Sequence, residues 1–221
     1  MVDILGSIDN SIENCQKLLN VLERKIHLLF NQFYMTLNIQ STVGAEFDCL
    51  LGGTPKTGVA EYWDGDISWI NSGEINNLRI MQASKKITKL GLEKSATKLL
   101  PKGTTVIAIT GATLGQVSLL EIDSCANQSV IGVLCNKFNK DFIYPLICYH
   151  ISDLISKQTG GAQQHINMND VKSLSIKIPT MSEYCDYSKK ALPLFEKQSL
   201  LCSKIKKLEK LKQLYLKKFF D

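Results

Sequence analysis

The side chains of this sequence that could do chemistry are mostly amides, hydroxyls and lysines that lie beside glycines. An amide carries a donor next to an acceptor, so it can make a bidentate contact to adenine. Two groups place such amides in expected loops, the second behind a flexible Gly-Gly pair: Asn127, Gln128 and Ser129, and Gln163, Gln164 and His165. Amides also satisfy backbone groups in turns, and both roles stay open for both groups. We favour the second group as a base-reading site.

Three turns of small or hydroxylated residues could approach a phosphate backbone or a nucleic-acid groove. Hydroxyls, ammonium groups and free backbone N–H groups are common partners of phosphate oxygens. The candidates are Thr54, Lys56 and Thr57 after Gly52-Gly53, Asn71 and Ser72 at the end of a predicted strand, and Thr110, Gly111 and Thr113 between two predicted strands. Ordinary solvent-exposed or hairpin turns are the alternative. Trp69, beside the second turn, is expected in the core because apolar residues alternate around it.

The charge of the chain is compatible with an anionic partner but does not identify one. The net charge is +5, and nearly all basic residues are lysines, with Arg24 and Arg79 the only arginines. Lysine suits point contacts to phosphate, while bidentate contacts to guanine favour arginine. Lysines recur at 84–102 with few acids nearby. The candidates for phosphate contact in this stretch are Lys85, Lys86 and Lys89. A solvated surface is the alternative.

The spacing of residues gives no support to metal, cofactor or catalytic chemistry. The seven cysteines include no C-x-x-C pair and the three histidines are isolated, so no metal site is predicted. The turn at 53–58 lacks the G-K-[S/T] ending of a Walker loop. The sequence also lacks an Asn or Asp followed by Pro-Pro and an aromatic residue, which amino-methyltransferases use to hold a base. We expect no cofactor and no enzyme activity.

Two long helices must position these groups, one at each end of the chain. Residues 7–34 carry an apolar seam with alternating spacings of four and three, and Ser7 or Asp9 could cap this helix. A capping box at 180–183 opens a second helix, which Pro193 should start or kink. The seam residues expected at a helix interface are Ile12, Leu19, Leu22, Ile26, Leu29, Leu201, Ile205, Leu208 and Tyr215. The seams pair with each other or with a second chain, and a dimer is expected.

Between the helices the apolar pattern changes to the period of strands. Short β-branched segments predict strands at 66–70, 105–110, 116–120, 129–134 and 173–178. Residues 142–156 predict a helix that packs on the sheet, with Pro145 in its first turn. The sequence therefore predicts an α+β fold with a helix over 1–35, a mixed α/β domain over 36–180 and a helix over 181–221.

Several local motifs follow one another in a definite order. They are Gly52-Gly-Thr-Pro-Lys56, Tyr62-Trp63, Gly65-Asp-Ile-Ser-Trp-Ile-Asn-Ser-Gly-Glu-Ile75, Leu100-Pro-Lys-Gly103, Ile109-Thr-Gly-Ala-Thr-Leu-Gly115, Ala126-Asn-Gln-Ser129 and Gly160-Gly-Ala-Gln-Gln-His-Ile-Asn167. With the helix start at 4–13 and the C-terminal seam, this series resembles the target-recognition domains of type I restriction-modification specificity subunits. Thr104 departs from the family pattern, which often has an acidic residue there.

The resemblance implies a non-catalytic subunit that reads DNA for a methyltransferase. Such subunits hold double-stranded DNA in their recognition domains, read one half-site with each, and clamp methyltransferase subunits along the helices, with restriction subunits as a further option. The family's usual chain has two recognition domains, whereas this sequence has one between two helices. The resemblance therefore implies a half-subunit that forms a homodimer.

A protein-interaction adaptor is the alternative function. In that case the seams would form a dimer, and the central domain would bind a protein without sequence-specific DNA readout. The N-terminal residues are acidic and polar where a secretory signal would be basic and then apolar, and no apolar run approaches the ~20 residues of a membrane span. We expect a cytoplasmic protein without membrane insertion.

Overall fold

Two long terminal helices and a mixed region between them make up the chain. The computed structural model describes residues 2–156 and 165–220. The helices are α1 Val2–Thr36, α2 Val43–Glu46, α3 Lys89–Glu93, α4 Lys140–Ser156, α5 Met168–Lys172 and α6 Met181–Phe220. The strands are β1 Ile39–Thr42, β2 Cys49–Leu51, β3 Trp63–Ile70, β4 Arg79–Ile80, β5 Lys85–Ile87, β6 Thr105–Ala108, β7 Val117–Leu120, β8 Cys125–Ala126, β9 Val130–Val133 and β10 Ser175–Ile178. Short 3-10 helices cover Ala60–Tyr62, Ser72–Asn76 and Gly111–Thr113. The predicted α+β class with long terminal helices is confirmed.

The two long helices run antiparallel against each other. They contain 35 and 40 residues, which extend about 50 and 60 Å. Lys212 Nζ, late in α6, lies 2.6 Å from Asp9 Oδ1, early in α1. Nearer the central domain, the Gln198 amide donates to Glu23 Oε2 at 2.8 Å. The first of the two alternatives, a pairing within the chain, is therefore the arrangement observed.

The ends of the long helices differ in how well the sequence predicted them. The proposed cap at Ser7 or Asp9 is wrong, because α1 is already helical from Val2. The capping box is confirmed: Thr180 N donates to Glu183 Oε2 at 2.8 Å, and Glu183 N donates to Thr180 Oγ1 at 3.3 Å. Pro193 lies inside α6 and does not start it.

The strands form sheets of five, three and two strands. Their orders are β2-β9-β6-β7-β4, β5-β3-β8 and β1-β10. Helix α4 packs on the five-stranded sheet, where Phe142 and Leu146 are fully buried with Ile107 of β6 and Ile131 of β9. Each such side chain contributes roughly 1.5–3 kcal/mol when fully buried. This core supports the loops at the ends of the strands.

Helix α4 accommodates a proline with help from α6. Because α4 begins at Lys140, Pro145 falls in its second turn and not in the predicted first turn. A proline there has no N–H to donate to the carbonyl of Asp141. The Tyr187 hydroxyl of α6 donates to that carbonyl instead, at 2.9 Å. The Tyr184 hydroxyl donates to Asp141 Oδ1 at 3.0 Å, and burial raises the pKa of this carboxyl.

A largely buried polar network, which we call the joint, connects the long helices to the sheet. Its members are Glu23 of α1, Arg79 of β4, Glu121, Tyr144 of α4 and Gln198 of α6. The Arg79 guanidinium pairs with Glu121 and donates to Gln198 Oε1 at 2.9 Å. Gln198 donates in turn to Glu23 Oε2 at 2.8 Å, and Tyr144 donates to Glu23 Oε1 at 2.8 Å. One chain of hydrogen bonds thus runs through both helices and the sheet.

The joint holds its two acids ionised. Burial alone would raise the pKa of Glu23, but hydrogen bonds from His27, Gln198 and Tyr144 outweigh it, so the pKa lies below its usual range. Burial would also raise the pKa of Glu121, but the charge of Arg79 outweighs it. The side chains of Arg79 and Glu121 are 1% and 3% exposed, so one of the two arginines serves the fold and not a surface.

Candidate nucleic-acid interface

Four loops and His165 meet at one end of the two larger sheets. Strands β2, β3 and β6 end there and β7 and β9 begin there, since antiparallel neighbours place the end of one strand beside the start of the next. Asn127 N donates to Ile70 O at 3.0 Å, which joins the three-stranded sheet to this end. Thr110 forms a β-bridge with His165, which adds the segment before α5. We call residues 52–58, 71–76, 110–115, 127–129 and 165 the loop edge.

The first and fourth loops of this edge are packed against each other. Gly53 N donates to Ala126 O at 2.8 Å, and Gly52 N donates to Val130 O at 2.9 Å. A Cβ at Gly52 would lie 2.1 Å from the Asn127 carbonyl oxygen, so only glycine fits there. Above this backbone contact, Thr54 Oγ1 donates to Gln128 Oε1 at 2.5 Å, and both side chains are exposed.

The two asparagines proposed for base contact at this edge hold their own loops. Asn127 Oδ1 accepts from Ser129 N at 3.2 Å. Asn71 Oδ1 accepts from Gly73 N at 2.7 Å, and its Nδ2 donates to Glu74. These contacts are the turn role that the sequence left open, and they leave Gln128 as the exposed amide of the 127–129 loop.

The lysines proposed for phosphate contact lie on two different elements, β5 and α3. Lys85 lies opposite Trp69 at the loop edge, and its Nζ is 5.6 Å from the centre of the Trp63 ring. Lys86 follows, opposite Ser68. Lys89 starts α3, beyond the far end of β5, where its Nζ lies 3.8 Å from Glu93. The structure therefore places Lys85 beside Trp63, whereas Lys89 faces Glu93 on α3.

Two tryptophans support the same corner. Trp69 is buried, as predicted, and its Nε1 donates to Gly53 O at 3.1 Å. Trp63 is half-buried beside it, with ring centres 5.2 Å apart, and its Nε1 donates to Lys56 O at 3.3 Å. The spacing of apolar residues did not predict a role for Trp63. The sequence feature that could have indicated one is the Tyr62-Trp63 pair before a strand with alternating apolar residues. Lys56 and Lys85 thus both lie beside a partly exposed indole.

The candidates at the loop edge differ in how exposed they are. Thr54, Lys56, Thr57, Gly111 and His165 are exposed. Those that are half-buried are Ser72, Thr110 and Thr113. Gly111 has a φ of +69°, a conformation that favours glycine. Gln163 and Gln164, the favoured base-reading pair, lie outside the described residues.

The seam residues expected at an interface lie mostly between helices of the same chain. Leu22 and Ile26 are buried within the chain, the latter against Leu119, Tyr144 and Phe195, so these two take the first of the two alternatives, a contact between helices of one chain. The partly buried members of the predicted set are Ile12, Leu19, Leu29, Leu201, Ile205, Leu208 and Tyr215. For these, contact with a second chain stays a prediction.

A second apolar stripe, which the sequence did not predict, faces outward. On α1 it includes Val21, Leu28 and Met35, each seven residues from the next, and on α6 it includes Leu200 and Leu214. Leu28 is 64% and Leu200 is 71% exposed. The sequence analysis predicted one apolar seam on each long helix. These residues lie on a different face, which points toward solvent and not toward the neighbouring helix.

Lysines surround the exposed stripe on α6. Lys197, Lys204, Lys207 and Lys210 are exposed, whereas Lys212 pairs with Asp9 across the helices. Lys206 also has a partner within the chain, because its Nζ donates to Met81 O at 3.4 Å. Within residues 2–156 and 165–220, no group of His, Cys, Asp and Glu could hold a metal ion, and no helix is long and apolar enough to cross a membrane.

Comparisons with known proteins agree on one family. A family model described as Type I restriction modification DNA specificity domain matches residues 47–215. The chain is similar to the Type I restriction enzyme MjaIX specificity subunit of Methanocaldococcus jannaschii, with 25% identity over 142 residues. That match covers 60% of this chain and 32% of the relative, so the chain spans about a third of its length.

Solved structures share the fold. The S subunit of a type-I restriction-modification system from M. genitalium matches with a TM-score of 0.71 at 14% identity, over 98% of this chain and 58% of that one. The HsdS subunit from Thermoanaerobacter tengcongensis matches with a TM-score of 0.58 at 12% identity, over 98% and 55%. At these identities the likeness concerns the arrangement of the long helices and the mixed domain.

Proposed function

The chain belongs to the type I restriction modification DNA specificity domain family, and from this premise we propose that it is a non-catalytic subunit that recognises one half-site of a DNA target. The observation that carries the proposal is the loop edge, where loops from two sheets present hydroxyls, an amide and lysines on one surface. Specific DNA contact needs phosphate-binding groups beside base-reading groups. Lys56 and Lys85 supply the first kind and Gln128 the second.

The long helices would then organise the partners of the DNA-bound domain. Exposed large apolar residues on both helices, Val21, Leu28, Met35, Leu200 and Leu214, are of the sort that mark protein contacts. Val21 and Leu200 lie at the same level, since Glu23 contacts Gln198 nearby. We propose that this stripe pairs two copies of the chain and lies alongside methyltransferase subunits, so that two recognition domains are held on one DNA.

The homodimer has a direct test by sedimentation equilibrium. Replacing Val21 and Leu200 with glutamate places charges in the proposed contact, and we expect the dimer to dissociate. The same replacement of the exposed residues Asn31 and Lys190, on the same two helices, is the control and should leave the mass unchanged. A monomer for the unaltered chain would contradict the homodimer without touching the DNA-reading role.

The DNA-reading role is tested by exchange in an assembled complex. The chain is co-purified with its modification subunit, and methylated positions in defined DNA are then sequenced. We expect methylation to follow one motif with this chain and another motif when a related chain replaces it. Methylation of the same motif without the chain would contradict the role. DNA binding that is weak and indifferent to sequence would favour a coiled-coil adaptor.

A further inference from the structure

We infer that Gln128 reads an adenine in the DNA target and that Thr54 orients the Gln128 amide for this contact. This role rests on the proposed function and adds the identity of one base in the half-site. Thr54 and Gln128 lie on different loops, both side chains are exposed, and Thr54 Oγ1 donates to Gln128 Oε1 at 2.5 Å. Thr54 would be a positioning residue and Gln128 the residue in contact with DNA.

The backbone under the pair holds the two loops together. Buried Gly53 donates to Ala126 O at 2.8 Å, and buried Gly52 donates to Val130 O at 2.9 Å. Asn127 N donates to Ile70 O at 3.0 Å, which ties the same loop to β3. Side chains on a backbone fixed in this way are arranged before a ligand arrives, which lowers the entropic cost of binding.

In the structure the amide of Gln128 turns its Oε1 toward the Thr54 hydroxyl, which donates to it. Turning an amide over exchanges its donor and acceptor, and the structure has the orientation in which Oε1 accepts from the Thr54 hydroxyl. Oε1 then keeps a second lone pair and Nε2 keeps its hydrogens. Within the described residues, no group accepts a hydrogen bond from Gln128 Nε2. In this orientation the amide presents an acceptor and a donor outward, in that order.

That order matches adenine in the major groove. Adenine offers N7 as an acceptor and its N6 amino group as a donor, so Gln128 Nε2 would donate to N7 while Oε1 accepts from N6. Guanine offers two acceptors on the same edge, one of which would face Oε1 without a proton between them. Asn71 and Asn127 hold their own loops, which leaves Gln128 as the amide in this part of the edge that is set up for the contact.

The test uses the full chain expressed in cells with its methyltransferase subunits, followed by sequencing of methylated DNA. Preference for each base is measured at every position of the motif for Gln128→Ala, Gln128→Glu, Thr54→Val and Thr54→Ser. We expect Gln128→Ala to lower the preference for adenine roughly 5- to 150-fold at one position and leave the others unchanged. Gln128→Glu should move that position toward cytosine, because a carboxylate accepts from the N4 amino group.

The Thr54 variants separate positioning from folding. Thr54→Val keeps the shape of the side chain but removes the hydroxyl, so we expect weaker adenine preference at the same position that Gln128→Ala affects. Thr54→Ser retains the hydroxyl and should restore the preference. Both sites are exposed, so melting temperatures should stay within about 2 °C of the unaltered chain.

Three results would overturn the assignment. They are an unchanged motif with Gln128→Ala, an equal loss at all positions, and a change at a different position with Thr54→Val. A failure of the proposed function looks different, because the unaltered chain would then direct methylation to no defined motif.

Discussion

The loop edge and the joint use polar side chains in opposite ways. In the joint, Arg79, Glu121 and Gln198 are buried and satisfy one another, so few of their hydrogen-bonding groups remain for a ligand. At the loop edge, Thr54 and Gln128 are exposed and share one hydrogen bond, which leaves donors and acceptors facing solvent. A buried polar network sets the position of a domain, whereas an exposed pair on a fixed backbone can recognise a partner.

This difference predicts that changes in the joint affect stability most and changes at the loop edge affect DNA contact most. The joint links α1, α6 and the sheet, so breaking it should destabilise the contacts among all three. The loop edge rests on a core that does not depend on the outward side chains. Four variants, taken from the largest expected change in the free energy of unfolding to the smallest, test the contrast.

Replacing Arg79 with methionine should destabilise the protein by about 3–5 kcal/mol, because Glu121 is left buried without its main partner. Lys102 remains as a second partner, with its Nζ 3.4 Å from Glu121, so we expect a loss of stability near the lower end of this range. Urea unfolding measures the change. The matched control is Arg24→Met, which alters the other arginine at an exposed position and should cost within about 0.5 kcal/mol. Equal effects of the two variants would contradict a structural role for the joint.

Replacing Gly52 with alanine should cost about 1–3 kcal/mol, because the new Cβ would lie 2.1 Å from the Asn127 carbonyl oxygen and one loop must move. Binding to the target DNA should weaken as well, since this contact holds Thr54 beside Gln128. Thermal unfolding and a DNA titration check the two effects. Gly58→Ala lies in the same loop with nothing within 4 Å and is the control. If Gly52→Ala bound DNA normally, the packed loops would not be needed for recognition.

Stability should fall in acid partly through Glu23. Hydrogen bonds hold its pKa low in the folded chain, so its contribution is present above the unfolded pKa of about 4.3 and is lost as pH falls through the folded value. Glu23→Gln places an amide against the Gln198 amide and should cost about 1–3 kcal/mol near neutral pH.

The measurement for Glu23 is urea unfolding as a function of pH. The difference between Glu23→Gln and the unaltered chain should shrink as pH falls below about 4. Glu13→Gln, which alters an exposed acid on the same helix paired with Lys17, should show little effect at any pH. A difference that stays constant down to pH 3 would show that the charge of Glu23 does not matter to the joint.

The smallest stability effect and a clear binding effect are expected for the lysines beside Trp63. Replacing Lys56 and Lys85 with glutamine should change stability by less than about 0.5 kcal/mol but reduce the slope of log K against log salt by about 2. Lys89→Gln, beyond the far end of β5 and beside Glu93, should leave the slope unchanged. A reduced slope for Lys89 alone would move the DNA path away from the loop edge.

Much of the architecture could be predicted from local patterns. Periodic apolar residues identified the two long helices, and β-branched runs identified strands such as β6 and β9, because these patterns report one buried face directly. The prediction failed at Ser7 and Asp9, which look like caps but lie inside α1. A cap prediction depends on where the chain stops being helical, and the residues before it are helical here.

The candidate site was less accessible to sequence reasoning. Glycine-rich turns marked the loops, but Asn127 and Gln128 are neighbours with the same chemistry, and only the loop geometry separates them. Asn127 accepts from Ser129 N within its own turn, while Gln128 contacts Thr54, 74 residues away in the chain. Contacts of that sequence separation leave no periodic pattern.

The sequence by itself determined the α+β class, the long terminal helices and the residue types available for DNA contact. These properties follow from side-chain size, polarity and local spacing, which act over a few residues. Only the tertiary structure decided that the two seams pack against each other, that Arg79 belongs to the joint, and that Lys85 lies beside Trp63 whereas Lys89 faces Glu93. Each of these depends on which strands and helices become neighbours, and that is set by packing of the whole core.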